Sequence, residues 1–99
     1  MTLQQLRQVI AVADSGSMNE AAKRLYITQP SLSAAIKELE KEIGIEIFLR
    51  SNRGIVTTAD GEEFLGYARQ IVEQYQLMED KYVNVGTRKK KFSVIWKRK

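Results

Sequence analysis

A regular run of apolar residues in the last third of the chain constrains this fold most. At alternating spacings of four and three, the run contains Phe64, Ala68, Ile71, Tyr75, Met78, Tyr82 and Val85. A period of 3.5 residues held over three heptads is typical of a coiled-coil seam. We predict a helix over residues 59–85, roughly 40 Å long. Because a small domain cannot cover that length, we expect the helix to pair with a second copy; packing along its own domain is the alternative.

Three shorter helices are predicted ahead of it. Thr2, Ser17 and Thr28 each fit an N-cap position before a periodic apolar stretch, and Gly44 is a suitable stop for the third helix. Pro30 falls in the first turn of the third helix, where its missing N–H costs little. Because the third helix follows the short second helix after only a brief connector, residues 26–27, the pair predicts a helix-turn-helix.

A hairpin is predicted between the third and fourth helices. Residues 48–50 and 55–57 are short extended candidates, and the Asn and Gly within residues 51–54 favour a tight turn. The fold class is therefore mainly α, a winged helix-turn-helix with a β-hairpin wing and a long C-terminal linker helix. We assign residues 1–58 to the winged helix-turn-helix domain and residues 59–85 to the linker or dimerisation helix.

The charge distribution weakens the simplest argument for nucleic acid. The 99 residues include 16 basic and 12 acidic ones, a net charge of +4. Seven of the basic residues and no acidic one lie in residues 86–99, so the remaining 85 residues carry a net charge of −3. A preference for nucleic acid must therefore come from the local arrangement of side chains in residues 1–85.

Composition also excludes several classes of function. The chain has no Cys and no His, so it lacks thiolate chemistry, the commonest general base and the commonest zinc ligand. We therefore expect no enzyme, no metal site and no cofactor. No apolar run is long enough to span a membrane and no basic leader opens the chain, so we expect a cytoplasmic protein.

The third helix presents a polar face opposite its apolar stripe, and we expect this face in a DNA major groove. With the N-terminal turn of the helix, the candidate contacts are Thr28, Gln29, Pro30, Ser31, Ser33, Ala34, Lys37 and Lys41. Gln pairs well with adenine, Ser and Thr with either base type, and Lys with phosphate. Arg53, at the predicted wing tip, suits a minor-groove contact.

Structural explanations stay open for several of these residues. Ser17, Thr28 and Ser31 are equally explained as helix caps, and Lys37 and Lys41 as a solvated face.

Four segments carry a resemblance to a known family. Residues 16–25, 28–40, 44–50 and 58–61 resemble, in order and without gaps, the N-terminal DNA-binding domain of LysR-type transcriptional regulators. The resemblance extends over about residues 1–85. It implies a winged helix-turn-helix that binds double-stranded DNA at an interrupted palindrome, and a linker helix that forms an antiparallel homodimer.

The resemblance also implies roles for individual positions. The residues it places in the groove are Gln29, Pro30, Ser33 and Ala34, those it places at phosphates are Ser17 and Thr28, and those it places in the wing are Arg50 and Arg53. Three positions depart from the family pattern. Ala34 stands where Arg is frequent, which should change sequence preference. Met18 replaces a common aromatic residue and Thr57 a usual Leu.

Full-length members of that family continue into an effector-binding domain and can assemble into tetramers. We interpret residues 86–99 as a disordered basic tail that begins a truncated domain of this kind, so a small-molecule effector is expected only for a full-length member. Two rival functions remain open: a protein-interaction module that uses the heptad helix, and a dominant-negative fragment that pairs with full-length copies.

Overall fold

Four helices and one hairpin build the fold in a computed structural model that describes residues 1–84. In chain order, the elements are α1 (Leu3–Ser15), α2 (Met18–Leu25), α3 (Gln29–Ile43), β1 (Phe48–Ser51), β2 (Gly54–Thr57), α4 (Ala59–Glu79) and a π-helical segment (Asp80–Asn84). The predicted mainly helical, winged helix-turn-helix fold is confirmed. The predicted tail, residues 86–99, and Val85 lie outside the described residues.

The N-caps predicted at Thr2, Ser17 and Thr28 are present, and Thr58 caps α4. The Thr2 hydroxyl accepts a hydrogen bond from the Gln5 amide at 3.1 Å, and the Gln5 side-chain oxygen accepts one from the Thr2 amide at 2.9 Å. Ser17, Thr28 and Thr58 each accept from the amide three residues ahead. Each cap satisfies a backbone donor that the helix itself leaves free, which explains why the helices start where the sequence predicts.

The core lies where α1, α2 and α3 meet the base of the hairpin. Its buried residues come from the four helices, β1 and Ile47, and the partly buried Met18 and Ile55 pack against them. The largest fully buried side chains are Val9, Val12, Leu32, Leu39 and Ile47. Burying one such side chain contributes about 1.5–3 kcal/mol, so this small cluster holds the three short helices together.

The start of α4 packs against the connection between α3 and the hairpin, residues 44–47. The Thr58 amide donates to the Ile47 carbonyl at 2.9 Å, and the Thr58 hydroxyl donates to the Glu46 carbonyl. Gly61 lies so close that a Cβ there would be 2.3 Å from the Ile47 oxygen and 2.9 Å from the Thr57 methyl group. The first turn of α4 is therefore pressed against this connection.

One face of α4 packs along α1 of the same chain. Leu65 and Ala68 are buried, the Arg69 guanidinium pairs with Asp14 at 2.7 Å, and Arg7 lies 5.6 Å from the centre of the Tyr75 ring. The alternative of packing along its own domain is thus correct for this face. Ala68 is only 1% exposed, so its assignment to the dimer seam is wrong: α1 already covers it.

A second face of α4 is exposed over most of its length. Tyr67 (64%), Ile71 (49%), Met78 (54%) and Tyr82 (67%) form this face, which we call the outer seam. Phe64 lies at its start and is half-buried against the core. The predicted seam therefore keeps Ile71, Met78 and Tyr82, but Tyr67 takes the place of Ala68. No helix among residues 1–84 is long and apolar enough to cross a membrane.

The two glycines of α4 should respond in opposite ways to replacement by alanine. We expect Gly61→Ala to lower the free energy of unfolding by about 1–3 kcal/mol, because the new methyl group overlaps the backbone of residue 47. Gly66→Ala is the matched control. Nothing lies within 4 Å of a Cβ added there, so the higher helix propensity of alanine should raise the free energy of unfolding by about 0.5–1 kcal/mol. Urea denaturation measures both, and equal effects would contradict the close approach at Gly61.

Candidate nucleic-acid interface

Three residues of α3 face the hairpin, which we call the wing, across two shallow grooves. Gln29, Ser33 and Lys37 are four residues apart and so share one side of the helix, which we call the α3 stripe. Gln29 lines the first groove, and Ser33 and Lys37 line the second. Sequence reasoning selected all three residues, and the fold places them side by side.

The first groove, of about 340 Å³, lies between the N-terminal turns of α2 and α3 and the turn end of the wing, at Ser51 and Gly54. Its polar lining consists of Ser17, Asn19, Gln29, Arg50 and Ser51. Asn19 is exposed and was missed by sequence reasoning, which treated the start of α2 only as a cap. An exposed amide in the first turn of α2 was the available signal. Asn19 becomes a candidate contact only when the fold places α2 beside Gln29.

Arg50 connects the α3 stripe to the wing. Its guanidinium donates a hydrogen bond to the Ser33 hydroxyl at 3.3 Å, and its side chain lines both grooves. A guanidinium held at the boundary between helix and wing suits contact with a phosphate or a guanine edge.

The wing is held against the turn between α1 and α2. The Ile55 amide donates to the Gly16 carbonyl at 3.3 Å, next to Gly54. Gly54 has φ of 119°, and a Cβ there would lie 3.0 Å from the Gly16 oxygen, so a side chain is disfavoured by both conformation and space. At the tip, the Ser51 hydroxyl accepts from the Arg53 amide at 3.2 Å, which fixes the backbone that carries this exposed arginine.

Several cations of this surface have no acidic partner within residues 1–84. The ion pairs among residues 1–84 join the Met1 amino group to Glu42 and Arg69 to Asp14. Lys37, Lys41 and Arg53 are exposed and take part in neither. Lys41 is the next residue along α3 at the same four-residue spacing, but it lines neither groove.

The hydroxyl groups at the start of α3 are engaged in capping. The Thr28 hydroxyl accepts from the Ser31 amide at 3.3 Å and donates to the Ser31 hydroxyl at 2.8 Å. Ser17 caps α2 in the same way, accepting from the Glu20 amide at 3.2 Å. The structural explanation therefore holds for these residues, whose exposed or half-buried hydroxyls leave room for a phosphate as well.

Pro30 and Ala34 are exposed on α3 but line neither groove. Tyr26, at the turn before α3, is 94% exposed with φ of 58°, and nothing in the structure explains an aromatic residue there.

The family model for bacterial regulatory helix-turn-helix proteins of the lysR family matches residues 3–62, which include the whole helix-turn-helix and wing. The chain belongs to the LysR family. Among the relatives of this LysR-family chain, the HTH-type regulator YxjO of Bacillus subtilis is 42% identical over 81 residues, 82% of this chain and 28% of the relative. The regulator TcbR of Pseudomonas sp. is 45% identical over 73 residues, 74% of this chain and 25% of the relative. The matched relatives are transcriptional regulators, and the chain spans about a quarter of their length.

Two solved structures with DNA have the same fold as this LysR-family domain. The CbnR_DBD–DNA complex superposes with a TM-score of 0.77 at 40% identity, and the match covers 87% of this chain and 99% of that one. The complex of BenM_DBD with catB site 1 DNA has a TM-score of 0.81 at 35% identity, over 87% of this chain and 97% of that one. The winged helix-turn-helix is therefore the DNA-binding type of domain in this family.

The Thr28 cap can be tested by stability. We expect Thr28→Ala to lower the free energy of unfolding by about 1 kcal/mol, because the Ser31 amide loses its acceptor. Thr28→Ser keeps a hydroxyl and should stay close to the wild type. Chemical denaturation of both variants decides it, and an alanine variant as stable as the serine one would contradict the cap.

Proposed function

We propose that this chain binds double-stranded DNA in a sequence-specific manner as a homodimer, with α3 in the major groove and the wing beside it. The observation that carries the proposal is the α3 stripe: Gln29, Ser33 and Lys37 converge with Arg50 on one surface. The two DNA complexes of structural relatives support it. Two copies related by a two-fold axis would each insert one α3 into the major groove of one half-site. The DNA site would therefore be an interrupted palindrome.

The residues divide by the chemistry that they offer to DNA. The amide of Gln29 can exchange two hydrogen bonds with an adenine edge, and the Ser33 hydroxyl can bond to either base type. Lys37, Lys41 and the caps Ser17 and Thr28 would hold phosphates, which set orientation without reading sequence. Ala34 carries no polar group, so this position contributes at most an apolar contact with a thymine methyl group. Arg53 would reach the minor groove from the wing tip.

Two substitutions should separate base reading from phosphate binding. We expect Gln29→Ala to weaken binding to the preferred palindrome by about tenfold, with little change on random duplex, because it removes a base contact. We expect Lys37→Ala to weaken binding on all sequences and to reduce the slope of log K against log salt by about one, because one phosphate contact is lost. Fluorescence anisotropy titrations at several salt concentrations measure both effects.

Gln70→Ala is the matched control, since Gln70 is an exposed amide on α4 away from the wing. If Gln29→Ala, Lys37→Ala and Arg53→Ala all leave DNA affinity at the wild-type value, sequence-specific binding through this surface is excluded. The rival function as a protein-interaction module then becomes the better explanation.

We infer that the homodimer forms through the outer seam and that its helices run antiparallel. Ile71 and Met78 lie equally far on either side of the peptide bond between Gln74 and Tyr75, and so do Tyr67 and Tyr82. In an antiparallel pair, a two-fold axis at this bond would place Ile71 of each copy on Met78 of the other, and Tyr67 on Tyr82. A parallel pair would instead stack each residue on itself.

The π-helical segment supports this arrangement. Tyr67, Ile71 and Met78 follow the positions of a heptad seam, whose next member after Met78 would be Lys81. The wider turn of the π-helix from Asp80 onward rotates the following residues, so that Tyr82 rather than Lys81 comes into line with the outer seam. Tyr75, beside Arg7, lies between the outer seam and the face covered by α1.

Charge introduced at the outer seam should weaken the dimer. We expect Ile71→Asp or Met78→Asp to shift the sedimentation profile toward monomer, because dimerisation would then bury a carboxylate without a partner. The natural chain has no Cys, so single cysteines also report the register. Mixing Ile71→Cys with Met78→Cys should give a disulfide-linked dimer that neither variant forms alone.

Glu73→Cys is the control, because Glu73 is exposed on the opposite side of α4 and should remain uncrosslinked. A strong crosslink of Ile71→Cys with itself would show parallel helices, and a sedimentation profile unchanged by either aspartate would exclude the outer seam. The dominant-negative function rests on the same seam, and mixing with a full-length relative would reveal heterodimers.

The remaining expectations concern a longer protein. LysR-family regulators of full length bind small-molecule effectors and form multimers. We propose the same for a longer protein that contains this domain, including tetramers, and we propose that it acts in the cytoplasm as a transcriptional regulator.

A further inference from the structure

We propose that Glu40 is a positioning residue that sets the angle of the wing relative to α3, and so the place where Arg53 meets DNA. The Glu40 carboxylate accepts two backbone hydrogen bonds through the same oxygen, from the Ile47 amide at 2.7 Å and from the Phe48 amide at 3.2 Å. Phe48 is the first residue of β1. The proposal rests on the DNA-binding function proposed above.

The Glu40 carboxylate ties α3 both to the first residue of the wing, Phe48, and to the residue just before it, Ile47. Arg50 and Ser33 also join the two elements, but at 3.3 Å and through an exposed arginine. A carboxylate on two amides is charge-assisted and partly buried, and therefore stronger than a bond between neutral groups. The tie lies at the root of the hairpin, whereas the Ile55 bond to Gly16 holds its turn end, so without the tie the wing can pivot about that second contact and change the direction of Arg53.

The surroundings of Ile47 and Phe48 explain why the tie is needed. Both residues are buried in the core, so their amides have little access to water. Without Glu40, the amides must find another acceptor, and the chain can provide water only by moving the start of β1 outward. The wing would remain paired as a hairpin, since its ladder runs from Phe48 opposite Thr57 to Ser51 opposite Gly54.

The charge of Glu40 argues against a direct role in DNA binding. Glu40 lines the second groove with Ser33, Lys37 and Arg50, on the side proposed to face DNA. An anion there repels phosphates, so a carboxylate contributes to binding only through the geometry that it imposes. Its two hydrogen bonds to backbone amides explain why a carboxylate occurs on this side of α3.

A double-mutant cycle tests the proposal. In the wild-type background, Arg53→Ala should weaken operator binding about tenfold. In the Glu40→Ala background, the same change should weaken binding less than about twofold, because the displaced wing no longer brings Arg53 to DNA. Gln29→Ala is the matched control: Gln29 lies on α3 itself, so its effect should be equal in both backgrounds.

Glu40→Gln supplies the rescue, because its side-chain carbonyl can accept from the same two amides. It should restore the full effect of Arg53→Ala and bind DNA at least as tightly as the wild type. Should Glu40→Ala fail to fold, Glu40→Asp replaces it; its shorter side chain cannot reach both amides, and the same reduced effect of Arg53→Ala is expected.

An equal effect of Arg53→Ala with and without Glu40 would overturn the positioning role, even if Glu40→Ala lowers stability. Failure of the proposed function is a separate result, since Arg53→Ala and Gln29→Ala would then leave the affinity of the wild-type background unchanged.

Discussion

The short connection at residues 44–47 is the constraint on which the arrangement of this domain depends. The Glu40 carboxylate holds its amides from α3, and the Thr58 cap holds its carbonyls from α4. Gly61 lets the first turn of α4 approach to a distance that no side chain would allow. α3, the wing and α4 are therefore all tied to one short stretch of backbone, in which Ile47 is fully buried.

In the proposed homodimer, α4 would connect residues 44–47 to the second copy. Its inner face is covered by α1, and its outer seam lies on an adjacent face of the same helix. Because both faces belong to one rigid helix, the direction of α3 relative to a partner copy would follow directly from the packing of α4 on α1. The pairing of Arg69 with Asp14 is exposed and contributes little to that packing, which depends on buried residues such as Leu65 and Ala68.

Electrostatics act here through placement. Residues 1–85 carry a net charge of −3, yet Lys37, Arg50 and Arg53 all lie at α3 or the wing. Glu40 and Glu46 both line the second groove beside them, and the Glu40 carboxylate accepts hydrogen bonds from two backbone amides. A mildly acidic domain can in this way present a cationic surface to DNA without an overall basic charge.

The helices, their caps and the hairpin could be predicted from the sequence because each depends on residues within three or four positions of one another. Thr2 with Gln5, Thr28 with Ser31, and the turn before Gly54 are of this kind. The sequence also selected Gln29, Ser33 and Lys37, but only within a larger set of candidate contacts, and it is the fold that places these three beside the wing. Contacts between distant segments could not be read in this way.

Only the tertiary structure decided those contacts. The spacing of apolar residues in α4 is compatible with more than one seam, and α1 selects between them by covering Ala68 and leaving Tyr67 exposed. Asn19 joins the first groove, and Gly54 approaches Gly16, only because the wing folds back onto the turn between α1 and α2. Local hydrogen bonds depend on neighbouring residues, so the sequence alone can predict them. Which face of a helix is buried depends instead on the surfaces that the whole chain brings together.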